Sequence, residues 1–179
     1  MKYVWILLFG LLVFGCQSAS QDNATLQEVV NKNNQDEIIE TGYMRNGKKT
    51  GPWTTYYDGK DAGRLKSVKH YIDGELYGAA LVFNNRGQLT DENHFVAGKK
   101  NGRSAKYQWG VTVEEMNYKN DLLDGLYQSY YRNNRKPQKV AHYKEGKLDG
   151  LYEYYNEEGK KVMEYEYVDG EKVEGGMVN

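Results

Sequence analysis

The chain predicts an all-β fold: an elongated, twisted antiparallel sheet of about six stacked β-hairpin repeats. A Gly-x-x-x-Gly phrase, led in most copies by an aromatic residue and followed by a strand ending in Tyr or Phe, recurs six times. Its first glycine falls at Gly47, Gly74, Gly98, Gly146 and Gly170, with Asp121 standing in between, in steps of 27, 24, 23, 25 and 24 residues. Its second falls at Gly51, Gly78, Gly102, Gly125, Gly150 and, as a frayed copy, Gly175. A period in this range marks units that each bury an apolar face only against their neighbours. Two-residue hairpin signals are the second observation, because Asn46-Gly47, Asp73-Gly74 and Asp169-Gly170 suit a turn with positive φ at both central positions. Composition is the third: residues 40–179 hold 20 aromatic residues but only 20 Ile, Leu or Val. That is lean for a globular core, whereas a thin sheet covered by broad rings can manage with it.

The elements follow in chain order. Lys2 precedes an apolar run from Val4 to Phe14 that closes on Cys16. Eleven helical residues span only ~17 Å against ~30 Å of hydrocarbon, so residues 1–15 read as a signal-peptide core rather than a membrane span. The segment resembles a bacterial lipoprotein signal, with Cys16 as the acylated residue. Cys16 is the only cysteine, so it has no partner for an internal disulfide, and lipidation gives an exported thiol a use. The resemblance implies diacylglyceryl on sulfur and a further acyl chain on the new amino terminus, enough for stable membrane anchoring. No aspartate follows Cys16, which favours the periplasmic face of an outer membrane. Residues 16–37 read as the acylated cysteine and a flexible tether, rich in Ser, Asn and Gln. Thr25 is placed to cap a short helix carrying Leu26, Val29 and Val30, ended by Asn31 to Asn34.

Residues 38–179 form the repeat domain. Asp73-Gly74 turns the chain, Gly78 opens a strand running to Phe83, and a looser loop from Asn84 to Gly87 precedes the returning strand. Arg132 to Lys136 and Asn156 to Gly159 repeat the loop. The copies GKKTGPWTTYYDG, DGELYGAALVFNNRG, GKKNGRSAKYQWG, LDGLYQSYYRNN and EGKLDGLYEYYNEEG resemble MORN repeats, specifically the bacterial MORN-variant repeat of YwqK-type antitoxin-like proteins. The resemblance covers roughly residues 41–175 and implies a fold more than an activity, since turn glycines and packing rings define it.

Strand alternation separates two faces. Tyr56, Phe83, Tyr107, Tyr130 and Tyr155 share one with Leu81, Leu126 and Leu151, and this is expected to be the better-buried side. The other carries Trp53, Ala80, Ser104, Tyr127 and Tyr152, and its rings Trp53, Tyr127, Tyr152 and Tyr154 are the candidate partner-binding set. Arg132, Arg135, Lys136 and Lys139 form the single basic cluster, a candidate loop for lipid headgroups by analogy with lipid-binding MORN proteins.

Other chemistry is disfavoured. His70, His94 and His142 recur at one repeat position, but equivalent strands lie ~10 Å apart while zinc needs each nitrogen at ~2.1 Å. Glu114 and Glu115 point to opposite faces of a strand, and Glu157 and Glu158 sit in a polar loop, so no carboxylate pair is placed for hydrolysis. With Lys2 removed the net charge is −2, against wholesale nucleic-acid binding. No metal, cofactor or catalytic set is expected. The expected function is that of a lipid-anchored envelope protein whose repeat sheet binds a protein partner, with toxin neutralisation as the alternative and headgroup binding as a lesser one.

Overall fold

A computed structural model describes residues 25–178; the signal segment, Cys16 and the first part of the tether lie outside the described residues. The fold is a single open antiparallel sheet of fourteen strands. In chain order these are β1 (Gln27–Lys32), β2 (Ile38–Arg45), β3 (Lys48–Tyr56), β4 (Leu65–Ile72), β5 (Glu75–Leu76), β6 (Gly78–Phe83) and β7 (Leu89–Val96). They continue as β8 (Lys99–Gln108), β9 (Val111–Lys119), β10 (Leu122–Tyr130), β11 (Pro137–Lys144), β12 (Lys147–Tyr155), β13 (Lys161–Val168) and β14 (Glu171–Met177). Sequential strands are neighbours throughout, except that the short β5 pairs only with β4, which then pairs with β6. The expected hairpin array is therefore present, and the sheet does not close into a barrel.

One expectation is corrected. Residues 27–32, assigned to the tether with a capped helix, form β1, which pairs with β2 from Gln27↔Met44 to Lys32↔Ile38. Asn33 then turns the chain, its Oδ1 accepting the amides of Gln35 and Glu37. A short polar strand at the edge of a sheet needs only backbone pairing on one side, so its composition carries little strand signal.

Two devices repeat along the sheet. At one edge, both central residues of each hairpin turn have positive φ, including the pairs Ala97-Gly98, Asn120-Asp121 and Glu145-Gly146. The second turn residue then donates its amide to a carbonyl of the preceding repeat: Gly74 to Lys49 (2.8 Å), Gly98 to Leu76 (2.9 Å), Asp121 to Lys100 (3.0 Å), Gly146 to Leu123 (2.8 Å) and Gly170 to Leu148 (2.8 Å). Just beyond each accepting carbonyl the register shifts, as between Asn93 and Phe95 or Ala141 and Tyr143, and the second glycine of the phrase adopts positive φ there. This is the geometry of a glycine β-bulge.

At the other edge, tyrosine hydroxyls join successive loops. Tyr57 donates to the Phe83 carbonyl at 2.9 Å, and Tyr131 to the Tyr155 carbonyl at 2.8 Å. The turn edge is thus hydrogen-bonded from one repeat to the next, and the loop edge between two pairs of loops, independently of what either face buries.

Gly146 combines φ of +85° with a site where a Cβ would meet Leu122 Cδ2 at 3.4 Å. Gly146→Val should lower unfolding free energy by about 1 to 3 kcal/mol through forced positive φ in a β-branched residue. Urea titration of parent and variant checks it; equal midpoints would remove the turn assignment.

Candidate functional site

Burial reverses the expected roles of the faces. Apart from glycine, the buried residues are Trp53, Ser67, Ala80, Ser104, Ala105, Met116, Ser129 and Ala141. Register places all but Ala105 on the side of Trp53, Ala80, Ser104, Tyr127 and Tyr152. The stripe Tyr56, Phe83, Tyr107, Tyr130 and Tyr155, expected to be the core, is only half-buried. Each of its rings follows a register shift at the loop edge, between Thr55 and Tyr56, Val82 and Phe83, Lys106 and Tyr107, Ser129 and Tyr130, and Tyr154 and Tyr155. At that edge the ladder is ending and each ring has fewer neighbours to cover it, which leaves it half-exposed.

Trp53 must accordingly leave the candidate binding set. It is 3% exposed, and its ring lies flat over Gly42, where a Cβ would fall 2.3 Å from Cδ2. Its Nε1 donates to the Tyr43 carbonyl at 3.1 Å, and the Lys49 ammonium covers it at 3.8 Å from the ring centre. It is a packing residue made possible by one glycine on the neighbouring strand.

The other three candidates remain half-buried and belong to a continuous row. Tyr127 meets Tyr143 edge-on at 6.2 Å, and Tyr152 meets Tyr167 at 6.1 Å. Between Tyr127 and Tyr152 lies Lys139, its ammonium 5.6 and 5.7 Å from the two ring centres. Tyr154 extends the row and accepts a hydrogen bond from Gln138 Nε2 at 3.4 Å. Burial raises the Tyr127 and Tyr143 phenols above their ordinary value, so these rings present neutral hydroxyls at physiological pH. Lys100 over Tyr118 and Lys172 over Tyr165 repeat the motif. The result is a surface of tyrosine edges and lysine ammoniums, suited to a partner offering apolar contact and acceptors.

The basic cluster does not survive as one unit. Lys139 belongs to this tyrosine row on β11, whereas Lys136 in the loop donates to the Glu158 carbonyl at 2.6 Å. Arg132 and Arg135 are exposed in the loop itself.

The opposite face carries a network that sequence reasoning missed. Arg103 on β8 bonds Glu92 at 3.2 Å and, more closely, Glu115. Tyr107 donates to Glu92 at 2.7 Å and Tyr130 to Glu115 at 2.9 Å. The Tyr107 hydroxyl, with Arg103, holds Glu92 below the usual carboxylate range, and Arg103, with Tyr130, does the same for Glu115. These pairs therefore stabilise the fold above that range, and the contribution is lost as pH falls through the lowered values. Burial, with Glu115, pushes Tyr130 up to about 12. The signal was available in the positions: residues 92, 103 and 115 fall on one face of three adjacent strands once the bulges are allowed for.

Two histidines have a local role. His94 Nδ1 lies 2.9 Å from the Arg103 carbonyl and His142 Nδ1 3.3 Å from that of Leu151, while Asn117 donates to Leu126 at the same repeat position. Each pairs with the bulge across from it. Neither a scan of family models nor a search of curated proteins yields a match.

Trp53→Ala should cost about 3 to 5 kcal/mol, the loss typical of a buried large ring. Tyr154→Ala, at the half-buried end of the row, should stay within about 1 kcal/mol. Urea unfolding of both variants checks the division; equal losses would make the whole row structural.

Proposed function

We propose that the protein is a non-catalytic, lipid-anchored component of the cell envelope whose repeat sheet binds a protein partner across its tyrosine face. The observation that carries this reading is the row Tyr127, Tyr143, Tyr152 and Tyr167 with Lys139 set between its rings. Tyrosine supplies a large amphipathic contact area at low entropic cost, and it is over-represented among residues that dominate binding energy. Several ionisable groups elsewhere are engaged in pairs, among them Lys49–Glu40, Lys106–Glu114 and Lys161–Glu153. Anchoring rests on the lipoprotein-like approach to Cys16. The MORN-variant resemblance supports toxin neutralisation as the alternative, in which the partner is a toxin.

In intact cells, Cys16→Ser should abolish palmitate labelling and release the protein from the membrane fraction; persistent labelling would remove the anchor. With the anchor intact, crosslinking should give a discrete adduct that weakens by about tenfold or more in Tyr127→Ala/Tyr152→Ala. An undiminished adduct in that variant would exclude the tyrosine face. An envelope protein in the adduct supports the first reading and a toxin the alternative.

A further inference from the structure

Connections at the loop edge break their pattern once. The loops between hairpins contain 5, 8, 5, 6 and 5 residues, but β8 and β9 are joined by Trp109 and Gly110 alone. The missing loop leaves a notch between the loop 84–88 and the loop 131–136. Its tip is Trp109, 60% exposed and held at φ +54°. That conformation suits Asn, Asp or Gly and disfavours a bulky side chain. Every other non-glycine residue at positive φ among those described is Asp, Asn, Ala, Arg or Glu. A large ring placed in water, on a turn it disfavours and where the loop edge lacks its loop, points to a use beyond folding.

The surroundings define what the notch takes. A groove of about 330 Å³ on one side includes Arg86 and Trp109, with the Arg86 guanidinium 5.2 Å from the ring centre. A groove of about 270 Å³ on the other runs from Gly110 past Tyr130 to Arg135. Arg86 and Arg135 enter no ion pair among the described residues. The one carboxylate lining either groove, Glu115, is already held by Arg103 and Tyr130.

We infer that this notch docks an acidic peptide segment of the protein partner, with an aromatic side chain stacked on Trp109 and carboxylates received by Arg86 and Arg135. Exposed Trp109, Arg86 and Arg135 beside the half-buried Tyr130 are of the side-chain types that dominate protein interfaces, and guanidinium forks match carboxylates in geometry as well as charge. The inference rests on the partner-binding reading and adds a second contact, away from the tyrosine face.

The test uses the full chain and two synthetic peptides, one Phe flanked by Glu and Asp and its Gln and Asn analogue, followed in NMR by the backbone N–H signal of Gly110, which lines the notch and is present in every variant. The acidic peptide should shift that signal saturably and the neutral one should not. Trp109→Asn should melt no lower than the parent, because Asn-Gly suits this turn, while weakening acidic-peptide binding by about tenfold or more. Arg135→Gln should weaken it too. Equal binding of the two peptides, no binding of either, or unchanged binding by Trp109→Asn would overturn the inference. Inorganic phosphate or anionic phospholipid vesicles that shift the signal with the same Arg135 dependence would also overturn it, by making the ligand a phosphate. Parent and Trp109→Asn chains are crosslinked in cells in parallel. Equal adducts from both reject the docking site but leave partner binding standing, whereas no adduct from the parent rejects both.

Discussion

The amide of each hairpin turn, donated to a carbonyl of the repeat before it, is the contact on which the rest of the sheet depends. An ordinary two-residue turn points that amide at water. Here both turn residues are left-handed, and the amides of Gly74, Gly98, Asp121, Gly146 and Gly170 reach Lys49, Leu76, Lys100, Leu123 and Leu148. The accepting strand must then step away from its own hairpin partner, and the second glycine of the phrase supplies the bulge that lets it. Two glycines four residues apart are thus one device: the first aims the donor and the second clears the strand beside the acceptor. Asp121 fulfils the first role because Asp tolerates the left-handed region.

The same device explains why the molecule can be one layer thick. Cohesion between repeats runs through the strand ladders, reinforced by backbone bonds at the turn edge and by the hydroxyls of Tyr57 and Tyr131 at the loop edge, so the faces need not supply a deep core. What is buried is small, as at Ala80, Ala105, Ala141 and the serines at 67, 104 and 129, and rings from neighbouring strands roof it. Trp53 over Gly42 is the extreme case. Stability of this kind lies between neighbours, as expected of a repeat array. It leaves one face free to carry a tyrosine and lysine row and the other an ionic network.

Much of the fold was legible because glycine positions report backbone demand directly. The turns at Asn46-Gly47, Asp73-Gly74 and Asp169-Gly170 follow from their residues alone, and the constant period extends the pattern to Glu145-Gly146, where Glu would not signal a turn. The division into two faces was legible, and Tyr107 and Tyr130 do stand with Glu92 and Glu115, opposite Tyr127 and Tyr152. Which face is better buried was not, because the buried residues are small ones such as Ala80, Ser104 and Ala141 that carry little hydrophobic signal. β1 escaped notice since its pairing is backbone only and its side chains are polar. In the candidate site, Tyr127, Tyr152 and Tyr154 hold the surface positions the sequence gives them, whereas Trp53 depended on an unremarked glycine in the next strand. Lys139 parted from its loop neighbours for a similar reason: two residues into β11, it follows the face of its strand and not its neighbours in sequence. Trp109 was missed because a two-residue connection at the loop edge is visible only when the other loops are laid beside it.

Amide hydrogen exchange resolved at the turn residues tests the central contact most directly. The account predicts that the amides of Gly98, Asp121 and Gly146, second residues of exposed turns, exchange as slowly as amides in the middle of the adjoining strands and are released together with them in denaturant. Exchange at the rate of solvent-facing turn amides, while the strands stay protected, would contradict it and leave the cohesion of the repeats to the strand ladders and the faces.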